Sequence, residues 1–558
     1  MVLICLKRII ISIPILIGVM VNNCYSQDAP PNVVILLIDD LGWGDFGFYG
    51  NPFNVTPNID SICNHSLVYK KAYANSPVCS PSRAALITGK YPFNVGIRTA
   101  INDDHDKNMA KNQVDYLDPE IPNIYQIFAS HGYTTGHFGK WHLGGTKDSP
   151  VLSEYGIDFY KSDQLHDPDY YIGKEIYGRN FRPTASSFLV DLSIDFLNNS
   201  SENPLLLNLW FSDVHAYLNP SQEQIDRLQL FDFYDQLTDK QKIYLAALHE
   251  LDIQVGRLVK NIPDNTLLII TSDNGPETEA ISKASHSAAG YVGNLRGKKR
   301  SLFEGGIRIP LIINWPEKIS KGVNNFTEIA HIDLLPTLID FVLSDSETDN
   351  GNFEFDGESM AESFFNQSFN REAPIYWEYG FPYHGNEINK SLPFAILNGK
   401  RKIFFDASYN EIQEYNLQSN PQENANIFDP KNCITLKLIN ESKEEFGSLL
   451  SQEGFFLENE WKRCNESVTS LDYEIEQNIS IYPNPFEKEI NVSFPENKLK
   501  EFELRISNAI GKIVFIENKA ENMDNLKIDL SNLNQGLYFL EIRHQNGLKL
   551  IKLIKSNH

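Results

Sequence analysis

Positive charge is in short supply in this chain. Its 558 residues carry 49 Lys and Arg against 73 Asp and Glu, a formal net charge of -24. Such an acidic balance argues against nucleic acid as a partner. It leaves room for an anionic substrate, because a local basic pocket can sit inside an acidic molecule. Long apolar runs are missing after Val21, so no later segment is suited to span a membrane. Cysteine is sparse too, with six residues. Cys5 and Cys24 fall in or beside the N-terminal leader, which leaves Cys63, Cys79, Cys433 and Cys464. In an oxidising compartment Cys433 can pair with Cys464, and Cys63 with Cys79.

The leader reads as a signal peptide over residues 1–27. Lys7 and Arg8 precede the apolar run Ile9 to Val21, and "NNCYSQ" follows, with cleavage expected near Gln27. Four later runs read as buried parallel strands: "NVVILLIDD" (Asn32 to Asp40), "GYTTGHFGKWHLG" (Gly132 to Gly144), "LLLNLWFSDVH" (Leu205 to His215) and "TLLIITSDNG" (Thr266 to Gly275). Helical patterns lie between them, at Ile121 to His131, Ser187 to Asn198 and Lys240 to Lys260. This alternation predicts an α/β fold, a doubly wound and mostly parallel sheet flanked by helices. Ligands of such sheets bind outside the carboxyl ends of the strands. Each of the four runs delivers acid, amide, lysine or histidine there.

After about Pro374 the character changes. "FAILNGKRKIFFDASYNEIQEYNL" alternates as short strands with turns at "NGK" and "YNE", which predicts a small antiparallel sheet subdomain over 374–465. A helix is expected around Thr435 to Gln452, and residues 466–478 read as a polar linker. Residues 479–558 show short strands separated by Asn, Gly and Pro, the pattern of an all-β sandwich.

Chemistry-bearing residues gather at the strand ends. Asp39 and Asp40 repel each other and need a cation. With Asp273 and Asn274 they offer four hard oxygen donors, suited to Ca2+ or Mg2+. Lys140 and His142 share one side of an extended segment in "GKWHLG". His215 ends another run. "GNLRGKKRSLFEGGIRIP" sets four cations ahead of Glu304, and one lysine among them is a candidate grip on a tetrahedral oxyanion. Together these groups suit a small anionic ester. A metal would polarise its oxygens, lysines neutralise developing charge, and a histidine protonate the leaving alcohol. A good nucleophile is missing.

Taken in order, Asp39-Asp40, "CSPSR" (Cys79 to Arg83), "GKWHLG", His215, "SDNG" and "GKKRSLFEGGIRIP" resemble the type I sulfatases of the alkaline-phosphatase superfamily. The resemblance spans roughly residues 30 to 320, and implies a catalytic domain over 28–373 with 374–465 as its C-terminal subdomain. It implies that Cys79 is oxidised to formylglycine by a maturation enzyme that reads Pro81 and Arg83. Arg83 would then steady the aldehyde hydrate. Asp39, Asp40, Asp273, Asn274 and residue 79 would hold Ca2+. His215 would protonate the leaving oxygen, and His142 would take a proton during release. Lys140 and Lys299 would grip the sulfate, Lys299 rather than Lys298 because it stands five residues before Glu304. His286 is a further substrate-contact candidate. The segment "SPVCSPSRAALITGKYP" is similar to galactosamine-6-sulfatase-type members, which implies a 6-O-sulfated hexose. Ala216 and Tyr217 depart from the family pattern after the histidine.

At the C-terminus, "YPNPF", "GLYFLEI" and "LKLIKLIK" resemble the sorting domain of the type IX secretion system. That implies an outer-membrane exporter as partner, passage through the periplasm and a secreted or cell-surface destination. A carbohydrate-binding module is the alternative, although no aromatic platform favours it. The expected activity is therefore sulfate ester hydrolysis on a sulfated polysaccharide or oligosaccharide. A phosphonate or phosphate ester hydrolase of the same superfamily, and an inactive surface-displayed glycan-binding protein, stay open beside it.

Overall fold

A computed structural model describes residues 29–144, 146, 148–162, 182–199, 203–215, 218–281, 286–343, 353–365, 369, 371–450, 464, 480–483, 486–493, 502–508, 513–519, 525–544 and 547–556. The expected signal peptide, the linker at 466–478, and Ala216 and Tyr217 lie outside these residues.

Nine strands form the main sheet: β1 Asn32–Ile38, β2 Leu67–Tyr73, β3 Thr134–Gly139, β4 Phe159–Ser162, β5 Leu205–Phe211, β6 Thr266–Ser272, β7 Arg308–Asn314, β8 Gly322–Asn324 and β9 Ile329–Ala330. Their spatial order is β4-β3-β5-β1-β6-β7-β2-β8, with β9 also on β2. β7 runs antiparallel to both its neighbours, and the other pairings are parallel. The carboxyl ends of β1, β3, β5 and β6 therefore share one edge of the sheet. Alternate residues of β1 enter different cores. Val33, Ile35 and Leu37 pack with the Cys79–Thr88, Ile124–Ser130 and His331–Leu338 helices. Val34, Leu36 and Ile38 pack with the Ala185–Asn199 and Asp239–Val259 helices. This is the two-faced burial that continuous apolar strands imply.

The second sheet is antiparallel, with β10 Ile375–Glu378, β11 Phe394–Asn398, β12 Arg401–Phe405 and β13 Ile412–Asn416 in that order. Its "NGK" and "YNE" turns carry Gly399 and Tyr409 at positive φ. The expected helix spans Cys433–Phe446. This unit shares one core with Leu302, Phe303 and Ile307 of the segment around Glu304. Cys433 and Cys464 form a disulfide, whereas Cys63 and Cys79 are free thiols. At the C-terminus a three-stranded and a four-stranded antiparallel sheet enclose a separate core that includes Ile490, Val492, Leu504, Ile528 and Leu540. That is the expected sandwich. Among the described residues no helix is long and apolar enough to cross a membrane.

One local expectation is corrected. The strand in "GYTTGHFGKWHLG" stops at Gly139, so Lys140 and His142 do not sit two apart on an extended segment. Gly139 turns the chain at φ +103°, and His142 adopts φ +61°. A Cβ on Gly139 would lie 2.0 Å from the Trp210 carbonyl oxygen. Gly139→Ala should therefore cost about 2 kcal/mol or more, from the left-handed backbone and the clash together. A melting temperature within a degree of the parent would contradict this.

Candidate active site

The Cys79–Thr88 helix begins where four strand-end loops meet. Cys79 Sγ lies 3.2 Å from Asp39 Oδ1, and Lys299 Nζ lies 3.5 Å from the same sulfur. Lys140 Nζ donates to Asp39 Oδ2 at 2.5 Å. Lys299 Nζ donates to both oxygens of Asp40, at 2.5 and 2.7 Å. One turn into the helix, Arg83 donates from Nε and Nη2 to Asp273 Oδ2, at 3.0 and 2.7 Å, and from Nη1 to the Lys140 carbonyl at 2.7 Å. The same Nη2 lies 3.3 Å from Asp39 Oδ2. The Asp40 amide donates to Asp273 Oδ1, and Asn274 Nδ2 to Asp40 Oδ1. All three aspartates and Asn274 are fully buried. His215 lies beside the pair, with Nδ1 3.8 Å from Asp39 Oδ2 and Nε2 3.7 Å from Asp40 Oδ2. Its side chain is 20% exposed.

The connecting loops are locked to one another by their backbones. The Gly275 amide donates to the Gly306 carbonyl, and a Cβ on Gly275 would lie 2.0 Å from the Gly305 carbonyl oxygen. The Lys299 amide donates to the Pro276 carbonyl, and that of Arg300 to Pro77. Glu304 is held by Lys402 of β12, which also pairs with Glu423. The second sheet thus anchors the turn that carries Lys299. Asp40 sits at φ +60°, a left-handed conformation that Asp tolerates and that recurs at functional sites.

Charge balance decides the protonation states. Burial works to raise the Asp39 carboxyl, but His215, Lys140, Arg83 and Lys299 together hold it well below the usual range. Burial, aided by Asp39, Glu277 and Asp273, pushes Asp40 up to about 7 in spite of Lys299. Burial pushes the Cys79 thiol up to about 12. Burial, and then the charges of Lys140 and Arg83, hold His142 well below its ordinary value, so its ring stays neutral. In the tautomer that donates from Nε2 to the Ile101 carbonyl, 3.2 Å away, Nδ1 is an acceptor without a hydrogen-bond partner among the described residues.

Asp39, Asp40, Cys79 and His215 bring ligand atoms within 4.8 Å of one another. Among the described residues, buried Asn274 Oδ1 has no hydrogen-bond partner although its amide nitrogen is engaged. An orphaned hard oxygen beside three buried carboxylates fits an oxygen-seeking divalent cation.

Of the sequence candidates, Asp39, Asp40, Cys79, Arg83, Lys140, His215, Asp273, Asn274 and Lys299 converge. Lys298 turns away, donating to the Ala288 carbonyl at 2.5 Å. His286 makes no hydrogen bond or ion pair with the other candidates among the described residues. Its neighbour Ser287 does donate to the carbonyl of Val214, next to His215. Two further residues lie close to the site, and neither was singled out individually from the sequence. Glu277 is buried four residues beyond Asp273, and Arg300 is paired with it. Their sequence signals were proximity, Glu277 three residues after Asn274 and Arg300 next to Lys299 in the four-cation cluster.

A family model described as Sulfatase matches residues 31–342, more than half of the chain. One described as N-sulphoglucosamine sulphohydrolase, C-terminal, matches 297–450, and one described as Secretion system C-terminal sorting domain matches 480–556. The N-acetylgalactosamine-6-sulfatase of Sus scrofa is 28% identical over 418 residues, covering 69% of this chain and 74% of that protein. Arylsulfatase A of Homo sapiens is 29% identical over 407 residues, covering 67% and 75%. The solved structure of Ps i-CgsB in complex with k-i-k-neocarrahexaose superposes with a TM-score of 0.61 at 23% identity, covering 80% of this chain and 98% of that one. The chain is an enzyme of the sulfatase family with a secretion-system sorting domain at its C-terminus.

Proposed function

We propose that this sulfatase removes O-sulfate from a sulfated polysaccharide or oligosaccharide outside the cell, using formylglycine formed from Cys79 and a bound Ca2+, with Mg2+ as the alternative ion. The observation that carries this reading is three buried carboxylates and three buried cations closed around one cysteine at a helix start. With its thiol pushed up to about 12, Cys79 holds almost no thiolate at neutral pH and is a poor nucleophile as encoded. Once oxidised and hydrated, residue 79 would supply one hydroxyl to attack sulfur and a second for release of sulfate. Asp39, Asp40, Asp273 and Asn274 would hold the ion, whose charge would polarise the ester oxygens.

The chain's own side chains do the rest. Lys140 and Lys299 are fixed ammonium charges for the sulfate oxygens. Arg83, saturated by Asp273, Asp39 and the Lys140 carbonyl, holds the helix of residue 79 against the carboxylates. His215, the partly exposed member, is the candidate acid for the leaving oxygen. His142, neutral with an open Nδ1, is the candidate base for release. His286 is kept as a substrate-contact candidate because its segment is tied to that of His215. The similar N-acetylgalactosamine-6-sulfatase supports a 6-O-sulfated hexosamine, and the neocarrahexaose in a structure of the same fold supports a saccharide chain. The proposed partners are a formylglycine-generating enzyme and the type IX machinery. The proposed route crosses the periplasm to the surface or beyond.

Sulfate release from 6-O-sulfated galactosamine glycans should exceed phosphate release from aryl phosphates. Mass spectrometry of the peptide around Cys79, on protein from a host with the maturation enzyme, should show the aldehyde. Cys79→Ala should lower activity by on the order of 10^3-fold or more. No release from any sulfated sugar by aldehyde-bearing protein would sink the glycan reading.

Lys299→Met should lower kcat/KM by about 10^2- to 10^3-fold, the size of one lost transition-state contact. Lys298→Met should lower it by less than about tenfold, since Lys298 binds backbone carbonyls. Equal losses would reverse the assignment.

Calcium at a hundred times its dissociation constant should stabilise the protein by about 2.7 kcal/mol. Calorimetric melting with and without chelator reads this directly. Asp40→Asn should lose most of the increment, and an identical calcium shift in that variant would contradict the ligand set.

A further inference from the structure

We propose that Arg300 reads the substrate: its guanidinium binds a second anionic group, a carboxylate or another sulfate, on the saccharide that carries the scissile sulfate. This deepens the sulfated-glycan reading and rests on it.

The backbone of Arg300 is held at φ +68°, a conformation that favours glycine. A large side chain persists there only where its surroundings fix it. Here the fixing group is the Cys79 loop. The Arg300 amide donates to the Pro77 carbonyl at 3.0 Å, two residues before Cys79. The preceding residue, Lys299, touches both Asp40 and Cys79 Sγ. The Arg300 side chain therefore starts one position away from the centre of the reaction.

Its guanidinium is aimed but not saturated. Nη1 donates to Oε1 of buried Glu277. Glu277 is itself fixed by the Thr278 amide, which donates to Oε1 at 2.7 Å. Among the described residues this is the one hydrogen bond of the guanidinium, and the side chain is 19% exposed. Two other arginines nearby differ. Arg83 is fully buried, and its Nε, Nη1 and Nη2 are all engaged. Arg98 is committed to Glu378 through Nε and Nη2. Glu378 precedes buried Tyr379, which lies near enough to Arg300 for the two to interact electrostatically. Arg300 thus follows Lys299, the proposed grip on the sulfate, lies near Tyr379 just after β10, and has donors to spare.

A planar fork of N–H donors matches paired oxygens better than an ammonium does. In a chain of net charge -24, which repels a polyanion at long range, an open guanidinium beside the site gives local attraction to a doubly charged saccharide. Lys140 and Lys299 face the buried carboxylates around Cys79, so the second charge on the sugar falls to Arg300.

The test compares wild type, Arg300→Gln and Arg300→Lys on four substrates. These are an aryl sulfate, a 6-O-sulfated hexosamine disaccharide with a neutral partner sugar, the same disaccharide with a uronate partner, and a disulfated disaccharide. Melting temperatures of all three proteins are recorded alongside. In Arg300→Gln, KM for the uronate or the disulfated substrate should rise roughly 10- to 100-fold more than for the aryl sulfate, the size of a lost charge-assisted hydrogen bond. The kcat should change much less, and Arg300→Lys should recover part of the loss. Whichever dianionic substrate loses more names the second anion. Equal losses on all four substrates mean that Arg300 merely supports Glu277, and would overturn this inference alone. Turnover of aryl sulfate by wild type without turnover of any saccharide would overturn the glycan reading as well.

Discussion

Three carboxylates and three cations are buried within contact of one another, and everything else in the site follows from that enclosure. Each ion taken from water costs several kcal/mol unless partners replace its solvation. Asp39, Asp40 and Asp273 face Arg83, Lys140 and Lys299, so the formal charges cancel. The cancellation is uneven, however. Asp39 feels all three cations and is held strongly acidic, whereas Asp40 rises to about 7. The corner of the cluster that includes Asp40 and Asn274 Oδ1 is the one short of positive charge. A divalent ion there would convert a neutral cluster into one with two surplus positive charges. An anionic ester is the ligand such a surplus selects.

The sheet explains how six distant segments reach one point. Parallel pairing of β3, β5, β1 and β6 brings their carboxyl ends to a single edge, and each strand gives way to polar residues within four positions of its end. Cys79 enters from the loop after β2, whose own partner is the antiparallel β7. That reversal brings the chain segment from Lys299 to Glu304 across the mouth, where the second sheet holds it through Lys402. The small antiparallel unit is thereby part of the active-site frame. Its core is continuous with Phe303 and Ile307 for the same reason.

Much of this could be read from the sequence because burial on both faces leaves continuous apolar runs, and the polar residues at their ends then stand out. Strands β1, β3, β5 and β6 were legible in this way, with the helices between them, whereas β2, β4, β8, β9 and the Cys79–Thr88 and His331–Leu338 helices were not foreseen. What escaped is what depends on tertiary approach. The stop at Gly139 is set by the Trp210 carbonyl of a neighbouring strand, and no local pattern encodes it. Lys298 and Lys299 are indistinguishable by composition, and only the fold turns one to a backbone carbonyl and the other to Asp40. The free state of Cys63 and Cys79 was equally open until the sheet placed Cys63 in the core with Ile59 and Val255 and Cys79 beside Asp39.

The surroundings of Cys79 also explain why the encoded residue is ill suited to the chemistry around it. A reactive cysteine needs a site that favours its thiolate. This one has the start of a helix and two lysines in its favour, yet burial first, and then Asp39 and Asp273, push the thiol up to about 12. A thiolate in this position would add a fourth anion to a cluster already balanced at three against three. A neutral group that carries oxygen adds no charge, and it offers the hard donor that the neighbouring carboxylates share. The electrostatics that disfavour a Cys79 thiolate would favour a neutral oxygen nucleophile at residue 79, so the proposed conversion would answer to the same enclosed charge balance that shapes the rest of the site.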